Sequence, residues 1–274
     1  MITEEYYSEI FNIFGPIKRA RGNFLYTKNG IRLTDLYLEN GRAILGWGND
    51  NGENGTGAFL KFKNILNRGL TGSFETDFSK QLDKAVSDLL QANCVAHIFF
   101  DIEQAKKAAL SLSTKVVKFV PWIGLVYDED DLKSNVQNVV DFECVLINPP
   151  LPWTSNLFIL ALRNDIVPLF DSEKISGSLQ GAIARSIYDL ISELKIRSEK
   201  KWFLYDSVLK NYFTRKGPYL FPKVNESEYD DFVLHCMNCN LLISPDYNIP
   251  SIVPYGADKG VFSLLKNNLW SGIK

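Results

Sequence analysis

The sequence predicts an α/β core joined to a smaller α+β domain formed by both chain ends. Three observations predict it. Short apolar runs of strand length alternate with segments of helical period between about residues 79 and 162. The first 40 residues read instead as a helix followed by a β-hairpin. The last hundred mix one long helix with short strands and further helices. The boundaries fall at 1–75, 76–172 and 173–274, the outer two segments contributing the small domain. At 274 residues and 46% apolar content, the chain can bury a large core.

Residues 1–14 form an amphipathic pattern with Tyr6, Ile10, Ile13 and Phe14 on one side, stopped by Gly15-Pro16. Residues 24–38 predict a hairpin around Asn29-Gly30, two residues that tolerate positive φ. The stretch 48–57 is a Gly/Asn-rich loop. A helix follows over 79–92, with Leu82, Ala85, Val86, Leu89 and Leu90 at 3.6-residue spacing. Then come a strand at Val95–Phe100, an Ala-rich helix at Ile102–Leu112, a strand at Val116–Val120 and a helix over Asp128–Val140. Phe142–Asn148 and Leu157–Leu162 are apolar strands, and the alternation predicts substantially parallel pairing. The tail reads as helices near 179–194, 200–214, 226–239 and 257–269, with strands at 217–222, 241–244 and 251–253.

Thirty Lys+Arg against 32 Asp+Glu give a net charge of -2, which argues against a nucleic-acid binder that tracks phosphates with a basic excess, though not against a local basic patch. No window has the length and apolarity of a membrane span, and the acidic start does not read as a signal peptide. Four cysteines are too few for a disulfide framework and fit the cytoplasm. The expected partners are therefore neither membrane nor nucleic acid. With His97 and His235 as the only histidines, most His-based metal sites and hydrolase triads are excluded. Cys236-x-x-Cys239 has no second pair to complete a metal site and ends a helix, which favours core packing. Asp101 stands where a helix N-cap is expected, so its carboxylate takes the N–H groups a phosphate would use.

Several segments resemble class-III aminotransferases, members of fold type I among pyridoxal-phosphate (PLP) enzymes. Arg21-Gly22, Tyr26, Gly30, Arg32, Asp35-Leu36 and Asn40–Gly46 are similar to the family's N-terminal hairpin, with Trp47 in place of its histidine. Arg68-Gly69-Leu70, the helix 79–92 and FFDIEQAKKAALSL resemble the next segments, and Ile175–Leu194, Leu242–Pro245 and Pro250–Pro254 resemble later ones. The likeness spans roughly 16–112 and 171–265. It implies a reduced PLP-transferase-like three-layer sandwich, with a small domain formed by both ends, and a homodimer, because the family's active sites form at a dimer interface.

The same resemblance implies where a cofactor would sit, and there the chain departs from the pattern. Asp101-Ile102-Glu103 replaces the family's Ser-Gly at the phosphate-binding helix start. No aromatic-His pair follows the next strand, and Asp128-Glu129-Asp130 lies in no strand-end context. The middle is compressed into residues 113–170. These departures predict a non-enzymatic binding or interaction protein that has lost PLP and catalysis, with no cofactor. The alternative is a diverged PLP-dependent aminotransferase, moving an amino group between an amino acid or amine and a keto acid, with Lys118 or Lys174 as the Schiff-base residue. Arg42, Trp47, Trp122 and Trp153 are the candidate ligand or interface residues.

Overall fold

The computed structural model describes residues 3–48, 55–72, 74–127 and 141–272. In chain order the elements are α1 (Thr3–Phe14), β1 (Ile17–Arg21), β2 (Phe24–Thr27), β3 (Arg32–Asp35), α2 (Ala58–Asn67), α3 (Phe78–Leu90), β4 (Cys94–Phe99), α4 (Ile102–Leu110), β5 (Lys118–Val120) and β6 (Gly124–Val126). They continue as β7 (Cys144–Ile147), β8 (Phe158–Arg163), α5 (Gly177–Ile196), β9 (Phe213–Lys216), β10 (Tyr219–Pro222), α6 (Tyr229–Asn238), β11 (Leu241–Leu242) and β12 (Ser251–Ile252). The helix expected over Asp128–Val140 lies outside the described residues.

The described residues divide into two units. The first holds 3–48, 55 and 197–272, and the second holds the rest of the span 56–196. The sequence reading grouped 56–75 and 173–196 with the terminal domain. In the structure they lie in the second unit, because α5 packs along both α2 and α3.

In the first unit, β1, β2 and β3 form an antiparallel meander, and β11 from the far end of the chain pairs parallel with β3. Gly30, at φ 85°, makes the left-handed turn that the Asn-Gly pair predicts. Tyr6, Ile10 and Phe14 seat α1 in the core, and the Tyr6 hydroxyl donates to the Ile243 carbonyl at 2.9 Å. Ile13, expected on the same side, is instead exposed. The helix expected over 200–214 is broken into short turns at Glu199–Trp202 and Asp206–Leu209, because the chain enters β9 at Phe213. Arg215 on β9 holds these turns in place, pairing with Asp206 at 2.7 Å and with Glu199.

The second unit is built on a five-stranded sheet of order β4-β8-β7-β5-β6. Among its described strands only β5 and β7 pair parallel, which corrects the expectation of substantially parallel pairing. The reason lies in the connections. A parallel return needs a crossover of a dozen residues or more, usually a helix. Between β7 and β8 the chain instead folds through tight turns, with the Leu151 N–H donating to the Pro149 carbonyl at 2.8 Å, so β8 returns antiparallel. Helix α4 lays Ala105, Ala108 and Ala109 on Phe99, Cys144, Leu146, Leu160 and Leu162. Helix α3 lies against β4 and packs with α2 and α5 into a helical layer. The second unit is thus an α/β sheet with helices packed on it, and the first holds small sheets built from both chain ends.

Candidate functional site

The α4 N-terminus is the position the resemblance assigns to a cofactor phosphate. Strand β4 ends at Phe99, and Asp101 adopts an extended backbone that turns the chain into α4. Its carboxylate accepts the Glu103 N–H at 2.8 Å. An aspartate in this position is a favoured cap because it satisfies an N–H that has no partner within the helix. Glu103 adds a second carboxylate in the first turn and pairs with Lys106 at 2.8 Å. The positive end of the helix dipole is thus matched by the protein's own anions. A further anion a few ångström away would meet a repulsion of roughly 1–4 kcal/mol from each.

The two candidate lysines are far apart. Lys118 sits on β5, half-buried and paired in register with Leu146. Lys174 is exposed, in the segment beside the outer edge of β4, where the Glu173 N–H donates to the Ile98 carbonyl at 2.8 Å. Three strand spacings separate β4 from β5, roughly 14 Å.

Lys174 lines a cavity of about 760 Å³ in the second unit, with Thr76, Lys80, Asp83, Glu173 and Gln180. The cavity lies along β4, against the first turns of α3 and α5. Asp83 accepts the Ala96 N–H at 2.8 Å, so α3 satisfies the edge strand. Burial raises the Asp83 carboxyl and lowers the His97 imidazole, favouring the neutral form of each. The His97 ring packs edge-on to Phe170 at 5.2 Å and faces Ser172 across 3.4 Å.

The four candidate ligand or interface residues fall in both units. Arg42 and Trp47 belong to the first unit, Trp122 and Trp153 to the second. Arg42 is buried, which pushes its guanidinium down to about 10. The Trp47 indole N–H donates to Asp35 Oδ2 at 2.8 Å. Trp122 occupies the β5–β6 turn at φ 61°. Trp153 is 44% exposed and packs against Phe62 at 5.1 Å and Phe59 at 6.3 Å.

The buried acids Asp35 and Asp189 were given no site role from the sequence. Asp35 Oδ1 accepts the N–H groups of Tyr37 and Leu38, both at 2.9 Å. These bonds open a left-handed turn through Leu38, Glu39 and Asn40, at φ 51°, 52° and 55°. Asp189 on α5 accepts the Thr56 hydroxyl at 2.6 Å, the Gly57 N–H at 2.9 Å and Arg185 Nε at 2.9 Å. It caps the start of α2 from another helix, a partnership that no local pattern encodes. Cys236 and Cys239 are free and buried, with thiols pushed up by burial, as core packing requires. Among the described residues, no group of His, Cys, Asp and Glu is placed to hold a metal ion.

No family model matches the chain. An uncharacterised protein of Treponema pallidum is 26% identical over 298 aligned positions, covering 92% of each chain. One of Borreliella burgdorferi is 28% identical over 251, covering 89% of this chain and 86% of its own. Among solved structures, an ornithine aminotransferase of Plasmodium yoelii superposes with a TM-score of 0.64 at 15% identity, over 97% of both chains. An acetylornithine aminotransferase of Elizabethkingia anophelis gives 0.61 at 13% identity, over 97% of this chain and 98% of its own. The chain has the class-III aminotransferase fold.

The resemblance assigns PLP to the start of α4 and to a lysine. The helix end that would hold its phosphate is filled by Asp101 and flanked by Glu103. Of the two lysines, Lys174 is exposed and lines the cavity along β4, and Lys118 lies three strands from β4. Asp128-Glu129-Asp130 falls outside the described residues.

Proposed function

We propose that this chain is an aminotransferase-fold protein that has given up PLP binding and catalysis and acts as a non-enzymatic binding or interaction protein. The single observation that carries this reading is the Asp101 carboxylate bonded to the Glu103 N–H at 2.8 Å. It puts an anion where the fold would otherwise take a phosphate. Asp101-Ile102-Glu103 in place of the family's Ser-Gly sets two carboxylates at the helix start, which inverts the site's charge preference rather than weakening it. The homodimer belongs to the same proposal and rests on the resemblance, since paired subunits complete the active sites of the enzymes it resembles. A cytoplasmic location fits the four free, buried cysteines. Among the described residues no helix is long and apolar enough to cross a membrane.

The alternative is a diverged PLP-dependent aminotransferase. It rests on Lys174, which lines the 760 Å³ cavity. One experiment separates the two. The purified protein is mixed with PLP, treated with borohydride and digested for mass spectrometry. The non-enzymatic reading predicts no lysine reduced onto PLP beyond the level of a denatured control. A single lysine labelled in high yield overturns it in favour of the enzyme.

A further inference from the structure

The charge of this chain is near zero as a whole but uneven along it. From Ile10 to Thr34 there are five cations, Lys18, Arg19, Arg21, Lys28 and Arg32, and no carboxylate. This stretch folds into the β1–β2–β3 meander. Its register places Arg19 opposite Tyr26, Arg21 opposite Phe24, and Tyr26 opposite Arg32. Residues directly opposite on paired strands share a face. Three arginines and two aromatic rings therefore stand on one side of the sheet. Leu25 and Leu33, also opposite each other, stand on the other side, where Leu33 is fully buried.

The rings and the guanidinium groups are interleaved. Arg19 lies over the Tyr26 ring at 5.4 Å, and Arg32 over the Phe24 ring at 4.8 Å. The two rings are 6.5 Å apart. All three arginines are exposed and both rings are half-exposed. Protection of the edge strand β1 from aggregation would explain charge on β1. It does not explain aromatic rings on the central strand with arginines over them.

We propose that this face of the meander binds single-stranded nucleic acid, with the arginines taking phosphates and the ring–guanidinium stacks taking bases. Arginine's planar fork matches a phosphate bidentately, and it also stacks on flat π-systems. Unpaired bases stack on aromatic side chains and on guanidinium planes, the chemistry sheet-based single-strand binders use. A duplex hides its base faces and would leave the rings idle. An anionic membrane is bound by basic side chains together with an apolar face buried at the headgroup–acyl boundary, whereas both rings of this face lie under guanidinium groups. The acids elsewhere in the chain cancel these charges in the total, so net charge conceals the patch. The proposal holds whether or not the fold takes PLP.

The test is fluorescence anisotropy of a labelled 20-nucleotide oligouridylate titrated with the full chain at 50 and 200 mM salt. Three phosphate contacts on a single strand predict an affinity that falls about 20-fold between these salt concentrations. Arg19→Ala with Arg32→Ala should weaken binding at least tenfold. Tyr26→Ala should weaken it at least fivefold, while Tyr26→Phe, which keeps the ring, should bind like wild type. Circular dichroism melting confirms that each variant is folded. Absence of binding at 50 mM salt overturns the proposal. So does binding that the arginine pair does not affect. Preferential binding to phosphatidylserine vesicles, or competition by polyglutamate at equal charge, would reassign the face to membranes or to acidic protein.

Discussion

Replacing Asp35 by asparagine removes a buried charge and one hydrogen bond together, and pH separates the two effects. Asp35 is 3% exposed, and burial pushes its carboxyl from an ordinary 3.8 up to about 6, against three hydrogen bonds that favour the ionised form. The folded state therefore holds this proton to higher pH than the unfolded chain does. By linkage, the group's contribution to stability is largest below the unfolded value and is lost as pH rises through the folded one. Between pH 4.5 and 7.5 the loss is about 2 kcal/mol. Asparagine is neutral throughout and has no such slope. Its amide keeps one acceptor for Tyr37 and Leu38 but turns a donor toward the Trp47 indole N–H, costing about 1–3 kcal/mol at any pH. Urea denaturation of both proteins should show Asp35→Asn clearly destabilised at pH 4.5 and close to wild type at pH 7.5. Trp47→Phe removes the indole donor and should shift the wild-type slope to higher pH. A wild-type-to-variant difference that stays constant between pH 4.5 and 7.5 would refute the buried-charge reasoning.

Other perturbations follow from the same accounting. Asp189→Ala strands the Thr56 hydroxyl and the Gly57 N–H in the core and should cost about 2–4 kcal/mol, read from the urea midpoint. Tyr6→Phe leaves the Ile243 carbonyl without its donor and should cost about 1 kcal/mol in the same assay. Asp101→Ala should cost about 1 kcal/mol as a lost cap, without creating PLP binding, which a titration with PLP would check. Trp153→Ala, at a side chain 44% exposed, should lower the melting temperature by only a few degrees; a loss as large as that of a buried tryptophan would contradict its surface placement.

The elements were legible where their chemistry is local. Strands β7 and β8 show as apolar runs because nearly every residue on both of their faces is buried. The hairpin shows through Asn29-Gly30, and α4 through an alanine stripe that meets one face of the sheet. Pairing direction was not legible, because it depends on how the chain turns between β7 and β8, not on the strands themselves. Helix α2 was missed because its apolar residues spread around the helix, leaving Phe59 and Leu60 exposed while Ala58 and Ile65 are buried. Of the candidate site, Asp101 was readable because capping acts within three residues. The Asp35–Trp47 and Asp189–Thr56 pairs were not, since each joins segments that only the fold brings together. The cavity lined by Lys174 also draws on Thr71, Thr76, Asp83, Ala96 and Gln180, so no single motif announces it.

The proposed loss of PLP turns on Asp101 and Glu103 at the start of α4. The most direct measurement is the absorbance spectrum of the purified protein titrated with PLP, followed by borohydride reduction and peptide mapping. The expected result is the spectrum of free PLP at every ratio and no specifically labelled lysine. A protein-bound absorbance band that borohydride bleaches, with the label on Lys118, Lys174 or any other single lysine, would contradict it.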